Sequence, residues 1–219
     1  IYSDTAIVSI DVVTVAGNLL SDATICEGTT ASLSLTGYVG SVLDWESSED
    51  LASWIPLSEF DGNYDSAPLT TTTYFRVHVQ SGVCPDDYSD TVQITVDPLP
   101  IGGSINSSMT LCEADASDTL ILLSYFGSSL SWEQSIDNGV SWIPAAGNND
   151  SLIFTNLTDT VWYRVFNEGF ACADVYSDTA IITFWEDTEA GILGFASTIC
   201  EGESVDLATL GSVGAGLFW

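Results

Sequence analysis

The sequence predicts an all-β protein built from tandem β-sandwich domains, and this prediction rests on strand patterning and internal repetition. Short apolar segments bounded by Gly, Asn, Asp or Ser follow one another, and no segment keeps a helical period. Three marker sequences recur at steps of 86 to 88 residues, which indicates a repeat array. They begin at Tyr2, Tyr88 and Tyr176 for the Tyr-Ser-Asp-Thr sequence, at Cys26, Cys112 and Cys200 for Cys-Glu, and at Trp45, Trp132 and Trp219 for a tryptophan.

Seven strands are predicted in the second repeat, each bounded by turn-forming residues. In sandwich lettering they are A at Met109–Cys112, B at Thr119–Ser124, C at Leu130–Gln134, C′ at Ser141–Pro144, E at Ser151–Phe154, F at Val161–Phe166 and G at Thr179–Phe184. So many short strands in one repeat indicate two packed sheets, with the tryptophan of strand C at the centre of the core.

The repeat register divides the chain into four parts. Complete repeats are expected at residues 16–100 and 101–189, with the last strand of a preceding repeat at 1–15 and the first strands of a following one at 190–219. A repeat of about 87 residues is large enough to bury a core of its own. Linkers of only a few residues then predict that the sandwiches are arranged as a string.

Composition and charge exclude several classes of partner. The chain has 31 acidic residues against two arginines and a formal net charge of −29, yet 46% of its residues are hydrophobic. The apolar content is sufficient for packed domains. An acidic surface repels nucleic acids and anionic lipids, because both are bound through Lys or Arg. We therefore expect no nucleic-acid partner and, without a long apolar run, no membrane insertion.

Residues around the predicted strand F resemble a corner found in two related domain types. Leu157 lies six residues before Tyr163 in Leu-Thr-Asp-Thr-Val-Trp-Tyr-Arg-Val, and the first repeat has Leu69 and Phe75 at the same spacing. This pattern is similar to the E–F corner of fibronectin III and immunoglobulin-like domains. Immunoglobulin-like or fibronectin III-like sandwiches are therefore expected.

The combined motifs resemble a narrower group of repeats. Cys-Glu-Gly before strand B, Trp-Glu on strand C, Tyr-Arg-Val on strand F and a Cys shortly before Tyr-Ser-Asp-Thr are similar to immunoglobulin-like repeats of very large Bacteroidota surface and secreted proteins. These include gliding-motility adhesins exported by the type IX secretion system. The resemblance implies a secreted, cell-surface protein whose partners are neighbouring repeats, other copies in a filament, or surface glycans.

The five cysteines lack metal-ligand spacing and are expected to form disulfides of an exported protein. Pairing within repeats would give Cys26–Cys84 and Cys112–Cys172. We favour Cys26–Cys172 instead, because the A–B turn and the F–G loop of one sandwich lie roughly 25 Å apart for a strand of about eight residues, which a disulfide cannot span. Cys84, Cys112 and Cys200 would then bond to repeats outside this sequence. A strand slip that restores pairing within the repeat is the alternative.

The two arginines occupy equivalent places on strand F, next to a strand C that carries a glutamate after its tryptophan. Cross-strand ion pairs are predicted for Arg76 with Glu46 and for Arg164 with Glu133. We expect these pairs to be structural, with ligand binding as the alternative. His78 has no counterpart in the second repeat, so we expect neither a metal nor a catalytic role for it.

Residues 135–142 match Ser-x-Asp-x-Gly-x-x-Trp, the Asp box of sialidase hairpins. In that motif the Asp and the Asn-Gly pair close a turn and carry no catalysis. A sialidase also needs several arginines for the substrate carboxylate, and this chain has one per repeat. We therefore predict a structural turn. The first repeat departs from the motif, with Glu49–Trp54 in its place.

Sequence signatures of catalysis are missing. The chain has no Gly-rich phosphate loop, Gly-x-Ser-x-Gly elbow, His-Glu-x-x-His or Cys-x-x-Cys. We expect no enzyme, no catalytic residues and no cofactor. The acidic pairs Asp86-Asp87 and Glu186-Asp187 are candidate Ca²⁺ ligands, with a solvated acidic face as the alternative.

Seven hydroxyl residues follow an Asp and precede an apolar residue, a sequence that resembles the O-glycosylation signal of Bacteroidota. They are Thr5, Ser66, Thr91, Thr119, Ser151, Thr160 and Thr179. Three of them belong to the repeated Tyr-Ser-Asp-Thr sequence, for which a structural role is the alternative.

The expected function is a non-catalytic structural segment of an extracellular filament or giant surface adhesin. Spacer repeats of a secreted multidomain hydrolase and a carbohydrate-binding module are the alternatives. A carbohydrate-binding module would expose aromatic side chains at the same place in every repeat.

Overall fold

Twenty β-strands and no helix make up the regular structure of the described residues in the computed structural model. The structure describes residues 6–20, 22–106, 108–111, 117–146, 149–184, 192–193, 198–205 and 209–210. Within these ranges, no helix has the length and apolar character needed to cross a membrane. The chain divides into two compact units, Ile1–Pro100 with Glu168–Asp174, and Ile101–Asn167 with Val175–Trp219.

The first unit contains nine strands in two sheets. They are β1 (Asn18–Leu19), β2 (Ala23–Cys26), β3 (Ser32–Thr36), β4 (Ser41–Ser48), β5 (Ile55–Pro56), β6 (Asn63–Asp65), β7 (Thr73–Gln80), β8 (Asp87–Tyr88) and β9 (Val92–Asp97). One sheet has the order β1-β3-β6, and the other has the order β2-β9-β7-β4-β5, with β8 also paired to β7.

The second unit repeats this topology. Its strands are β10 (Ser104–Ile105), β11 (Met109–Leu111), β12 (Asp118–Leu123), β13 (Ser129–Ser135), β14 (Ile143–Pro144), β15 (Ser151–Phe154), β16 (Val161–Glu168), β17 (Val175–Tyr176) and β18 (Ala180–Phe184). The sheets are β10-β12-β15 and β11-β18-β16-β13-β14, with β17 against β16. Two further strands, β19 (Ile192–Leu193) and β20 (Thr209–Leu210), pair with each other.

The strands form because apolar residues alternate along them and face the space between the two sheets. In β7 every second residue is buried, from Thr73 through Phe75 and Val77 to Val79. Trp45 of β4 and Trp132 of β13 are 0% exposed and lie among the buried residues of their respective cores. Each indole also donates a hydrogen bond to a backbone carbonyl, so burial leaves no indole N–H unpaired.

The all-β prediction is confirmed, but strand A is divided. In each unit its first part (β1 or β10) pairs antiparallel with strand B (β3 or β12). Its second part (β2 or β11) crosses to the other sheet and pairs parallel with strand G (β9 or β18). Gly17 and Gly103 precede the first parts with φ of +81° and +80°. A Cβ there would lie 2.6 Å from the Thr36 carbonyl oxygen and 2.7 Å from that of Leu123, so both positions need glycine.

Candidate functional site

A disulfide joins Cys26 to Cys172 across a sequence separation of 146 residues, with 4.7 Å between their Cα atoms. Cys26 is the last residue of β2 and pairs in parallel register with Asp97 of β9. Cys172 lies between β16 and β17, in the segment Glu168–Asp174 that packs with the first unit. The structure thus forms the pairing that we favoured, between the strand A end of one repeat and the F–G loop of the next.

The loop around Cys172 is held by the end of β9, which is strand G of the first repeat. The Ala171 amide donates a hydrogen bond of 3.1 Å to the Asp97 carboxylate. The Cys172 sulfur lies 3.6 Å from the carbonyl oxygens of both Asp97 and Pro98. Because Asp97 is also the register partner of Cys26, the same residue positions both halves of the disulfide.

Pairing of Cys26 with Cys84 is ruled out by strand direction. Since β2 runs parallel to β9, Cys26 lies beside the last residue of β9, whereas Cys84 lies in the loop between β7 and β8, before β9 begins. A strand of this length separates the two ends by roughly 17–20 Å, beyond the reach of a disulfide. Cys84 is a free thiol, as is the exposed Cys200. Cys112 lies outside the described residues. The alternative pairing of Cys112 with Cys172 does not form, because Cys172 is bonded to Cys26.

Each unit also contains an arginine held between two aromatic rings, which we call the arginine stack. In the first unit the Arg76 guanidinium carbon lies 4.1 Å from the ring centres of both Trp54 and Tyr88. Its Nη2 lies 2.7 Å from a carboxylate oxygen of Glu46, the residue directly across from it on β4. The guanidinium therefore combines a cross-strand ion pair with two cation–π contacts.

The second arginine stack has the same composition. Arg164 lies 4.1 Å from the centre of Trp142 and 3.8 Å from that of Tyr176, and its Nε donates to Glu133 at 2.8 Å. The arginine side chains are 25% and 23% exposed, so rings and carboxylate enclose most of each cation. The structure forms both predicted ion pairs. The aromatic partners were not predicted, although Trp and Tyr recur at these positions in both repeats.

The repeated Tyr-Ser-Asp sequence has a separate task for each residue. Tyr88 stacks on Arg76. The Ser89 hydroxyl accepts a hydrogen bond from the Val77 amide and donates one to the Asp90 carbonyl. The Asp90 carboxylate accepts a 2.7 Å bond from the amide of Leu19 on strand A.

The copy that begins at Tyr176 makes the same bonds. Ser177 accepts from the Val165 amide, and Asp178 accepts from the Ile105 amide at 2.7 Å. The sequence therefore fastens strand A to the F–G region in both units, which is a structural role.

The Asp-box residues form a closed turn. The Asp137 carboxylate accepts hydrogen bonds from the hydroxyl and amide of Ser141 and from the hydroxyl of Ser135. These bonds, those of Ser141 foremost, lower the pKa of Asp137 from 3.8 to about 2. Both oxygens of this carboxylate are thus hydrogen-bonded within its own turn.

His78 contacts residues of the same hairpin. Its ring stacks on Tyr88 with the ring centres 4.5 Å apart, and its Nε2 forms a hydrogen bond with the Asp86 carboxylate. The bond to His78 lowers the pKa of Asp86. Within the described ranges, no group of three or more His, Cys, Asp or Glu side chains is arranged to hold a metal ion. The other candidate Ca²⁺ pair, Glu186-Asp187, lies outside the described residues.

The candidate glycosylation residues differ in accessibility. Ser66 is 5% exposed, its hydroxyl accepts from the Ala31 amide and donates to the Ala67 carbonyl, and a glycan there does not fit the folded domain. The others that the structure describes are exposed at Thr91 and Thr179 and half-buried at Thr119, Ser151 and Thr160. Thr5 lies outside the described residues.

Comparison with known proteins agrees with this architecture. Residues 15–98 and 101–186 each match the family described as Domain of unknown function (DUF8696). No curated protein sequence matches the chain. The fold is similar to a marsupial T cell receptor, with 14% identity, a TM-score of 0.56, and coverage of 80% of this chain and 75% of the receptor.

It is also similar to domains A168–A170 of titin, with 13% identity, a TM-score of 0.50, and coverage of 78% of this chain and 68% of the titin structure. These similarities show tandem domains of the immunoglobulin-like β-sandwich type. Domains of this type are typically non-catalytic.

Proposed function

The chain belongs to the family of the Domain of unknown function (DUF8696), and we propose that this pair of repeats is a non-catalytic structural segment of an extracellular filament or giant surface adhesin. The single observation that carries the proposal is the disulfide between Cys26 and Cys172. It connects two consecutive repeats of one chain in addition to their short peptide linker.

Such a bond changes how the chain carries tension. A force applied to the chain ends passes along residues up to Cys26, crosses the sulfur–sulfur bond, and continues from Cys172. The residues between these two cysteines are excluded from the covalent path. When this chain is pulled by its ends, the parts of both cores between Cys26 and Cys172 therefore stay off the covalent path, which suits a segment that carries tension.

Composition and chemistry support an extracellular place for this segment. A disulfide persists in oxidising compartments, and immunoglobulin-like domains are typical of extracellular proteins. The strongly negative charge keeps neighbouring chains soluble and apart. Together with the resemblance to Bacteroidota repeats, these features support a secreted segment, and the labelling experiment below separates an adhesin of the gliding-motility type from a spacer within a secreted hydrolase.

Immunogold electron microscopy of intact producing cells, with an antibody raised against this segment, tests the proposal. We expect gold particles along fibrils that extend from the cell surface. Labelling confined to the cell interior, or co-purification of the segment with a catalytic domain on one polypeptide of modest length, would contradict it.

Force spectroscopy on the chain, held at both ends, tests the mechanical part. Reduction of the disulfide should release about 145 further residues, on the order of 500 Å at ~3.5 Å per residue. The Cys172→Ala variant should show this longer extension without reductant. Equal extension of oxidised and reduced chains would show that the Cys26–Cys172 bond carries no tension.

One observation favours carbohydrate binding as a second candidate. Tyr88 and Tyr176 recur at the same place and are 40% and 46% exposed. Glycan-affinity electrophoresis of the chain and of the Tyr88→Ala/Tyr176→Ala variant tests it. A retardation that the variant loses would support binding, whereas equal mobility with and without glycan would exclude these tyrosines as a binding surface.

A further inference from the structure

We propose that the loop around Cys84 is a preformed cross-linking site for the strand A cysteine of another repeat of this family. This inference rests on the proposed function and adds a partner and a direction to it. In the bond that the structure forms, the strand A cysteine comes from one repeat and the F–G cysteine from the following one. Cys84 is an F–G cysteine, so its partner is the strand A cysteine of the repeat before it.

The Cys84 sulfur contacts a pair of backbone carbonyls equivalent to the pair that the bonded Cys172 sulfur contacts in the next repeat. The Cys84 sulfur lies 3.8 Å from the carbonyl oxygen of Asp11 and 3.4 Å from that of Val12. The Cys172 sulfur has the equivalent contacts, both at 3.6 Å, with Asp97 and Pro98.

A carboxylate fastens both loops in the same way. Asp11 accepts a hydrogen bond of 3.0 Å from the Val83 amide, as Asp97 does at 3.1 Å from the Ala171 amide. The residues of the two loops differ, with Gly82-Val83 in one and Phe170-Ala171 in the other. The shared geometry therefore comes from the acidic residue and the cysteine, and it does not depend on the rest of the loop sequence.

Further bonds hold the Cys84 loop in shape. The Cys84 amide donates to the Ser81 carbonyl at 2.9 Å, and the Gln80 side chain donates to the Cys84 carbonyl at 2.9 Å. The Ser81 amide donates to the Thr14 hydroxyl at 3.0 Å. The thiol is thus already positioned, which lowers the entropic cost of forming the cross-link.

The register identifies the partner. Cys26 lies beside Asp97, the last residue of its own strand G, and Asp97 holds the loop of Cys172. Asp11 takes the place of Asp97 at the Cys84 loop. The cysteine that faces Cys84 therefore belongs to the repeat for which the segment containing Asp11 is strand G, and within that repeat it occupies the position of Cys26.

The bond forms by thiol–disulfide exchange with a small disulfide oxidant such as oxidised glutathione. The thiolate of one cysteine attacks the oxidant, forms a mixed disulfide and releases one glutathione thiolate. The second cysteine thiolate then attacks the protein sulfur of that mixed disulfide and releases the other glutathione thiolate. Two cysteine thiols lose two protons and two electrons, and one oxidised glutathione becomes two reduced molecules.

A chain extended by one repeat tests the proposal. Residues 15–87 are placed directly before Tyr2, so that Tyr2-Ser3-Asp4-Thr5 continues the added copy as Tyr88-Ser89-Asp90-Thr91 continues the original. The added copy carries Cys84→Ser, which leaves its Cys26 as the new thiol. It also carries Thr24→Ser at an exposed position, so that its Cys26 peptide has a distinct mass.

After oxidation with glutathione, non-reducing peptide mapping should show the added Cys26 bonded to Cys84, together with the original Cys26–Cys172 bond. Alkylation of Cys84 by iodoacetamide should fall at least tenfold relative to the unextended chain. The matched control, with Cys26→Ser in the added copy, should leave Cys84 reactive. Asp11→Ala should lower the yield of the new bond without affecting Cys26–Cys172.

A second extended chain repeats the test with residues 101–175 as the added copy, whose Cys112 is then the new strand A cysteine. The proposal is overturned if Cys84 stays reactive in both chains, or if the added cysteine bonds elsewhere, while Cys26–Cys172 forms normally. That outcome would leave the surface-labelling test of the filament role unaffected, so the two failures are distinguishable.

Discussion

The two repeats build the same turn after strand C from sequences of different length, and the difference shows which contacts the fold requires. In the second repeat Ser135 and Asp137 organise the turn, and Asn138 takes the positive φ of +59°. In the first repeat Ser48 and Asp50 make equivalent bonds, and Leu51 has a φ of +62°. The Ser–Asp network is kept, while the residue at the strained position is not.

The cores of the two repeats also differ in where strand E places its aromatic residue. Leu33 and Leu120 are equivalent residues of strand B, and they pair with Tyr64 and Leu152 on strand E. Two residues further on, the first repeat has the buried Ser66 and the second has the buried Phe154. An aromatic ring is present in both cores, on neighbouring inward positions of the same strand. The inward-facing pattern is conserved, and the place of the ring is free to change.

Loss of the disulfide should have the largest effect. Cys172→Ala removes a cross-link over a separation of 146 residues, for which chain entropy gives about 5 kcal/mol of lost stability, with strain reducing the measured value. Cys84→Ala, at the equivalent place in the first repeat, should change the stability of this chain little. Denaturant melts under non-reducing conditions compare them, and equal losses would mean that the bond does not stabilise the fold.

Truncation of the core tryptophans should have the second-largest effect on stability. Trp132→Ala and Trp45→Ala should each cost roughly 3–5 kcal/mol, as for other buried aromatic side chains. Asp137→Ala, in the exposed turn, should cost far less. Chemical denaturation of the three variants measures this order. An equal loss for Asp137→Ala and Trp132→Ala would mean that the buried tryptophan contributes no more to stability than a turn residue.

Exchange of the core pair should show coupling between the two strand E positions. Tyr64→Leu leaves a cavity, and Ser66→Phe alone overfills the core and removes the hydrogen bond to the Ala31 amide, each costing about 1–3 kcal/mol. The double variant imitates the second repeat and should recover about 0.5–2 kcal/mol of the summed loss. A double-mutant cycle measures the recovery. If the losses of the two single variants simply add, the two strand E positions are not coupled.

The strained turn should respond to a single substitution in each repeat. Leu51→Asn should stabilise the first repeat by about 0.5–1 kcal/mol, because Asn tolerates the left-handed region better than Leu. Asn138→Leu should destabilise the second repeat by a similar amount. Thermal melts of the two variants provide the measurement, and shifts of the same sign would contradict this explanation.

Acid should weaken both turns, because each is held by a carboxylate whose pKa is lowered in the folded chain. The pKa of Asp137 falls from 3.8 to about 2 on folding, so its ionised form contributes stability above pH 4, and this contribution is lost as the pH falls through 2. The pKa of Asp50 is also lowered, chiefly by the amides of Ser53 and Ala52. Carboxyl NMR titration should place both midpoints below those of an unfolded peptide. A normal midpoint for Asp137 would mean that the Ser141 bonds do not form.

The sequence predicted most strands from their alternation and favoured the disulfide from the topology of a sandwich. Alternation gave strands B, C, E and F to within two residues, and the distance between the A–B turn and the F–G loop of one repeat favoured Cys26–Cys172 over Cys26–Cys84. Strand C′ is shorter than predicted, since Ser141 belongs to the turn.

The sequence did not predict the division of strand A or the short strand β17, because a strand of two residues is too short to show alternation. The arginine stack was predicted only as an ion pair, since its aromatic members are distant in sequence and nothing local joins them.

The arginine stacks also determine how the segment meets proteases. Enzymes of the trypsin type cleave after Lys or Arg, and these 219 residues offer them only Arg76 and Arg164. Both lie in the middle of strand F, paired with neighbouring strands, with the guanidinium covered by two rings. Cleavage requires a locally unfolded, extended backbone, which the centre of a sheet does not provide. While folded, the segment therefore presents no accessible site to enzymes of the trypsin type, and the side chains that stabilise each sandwich also conceal the only residues after which these enzymes cleave.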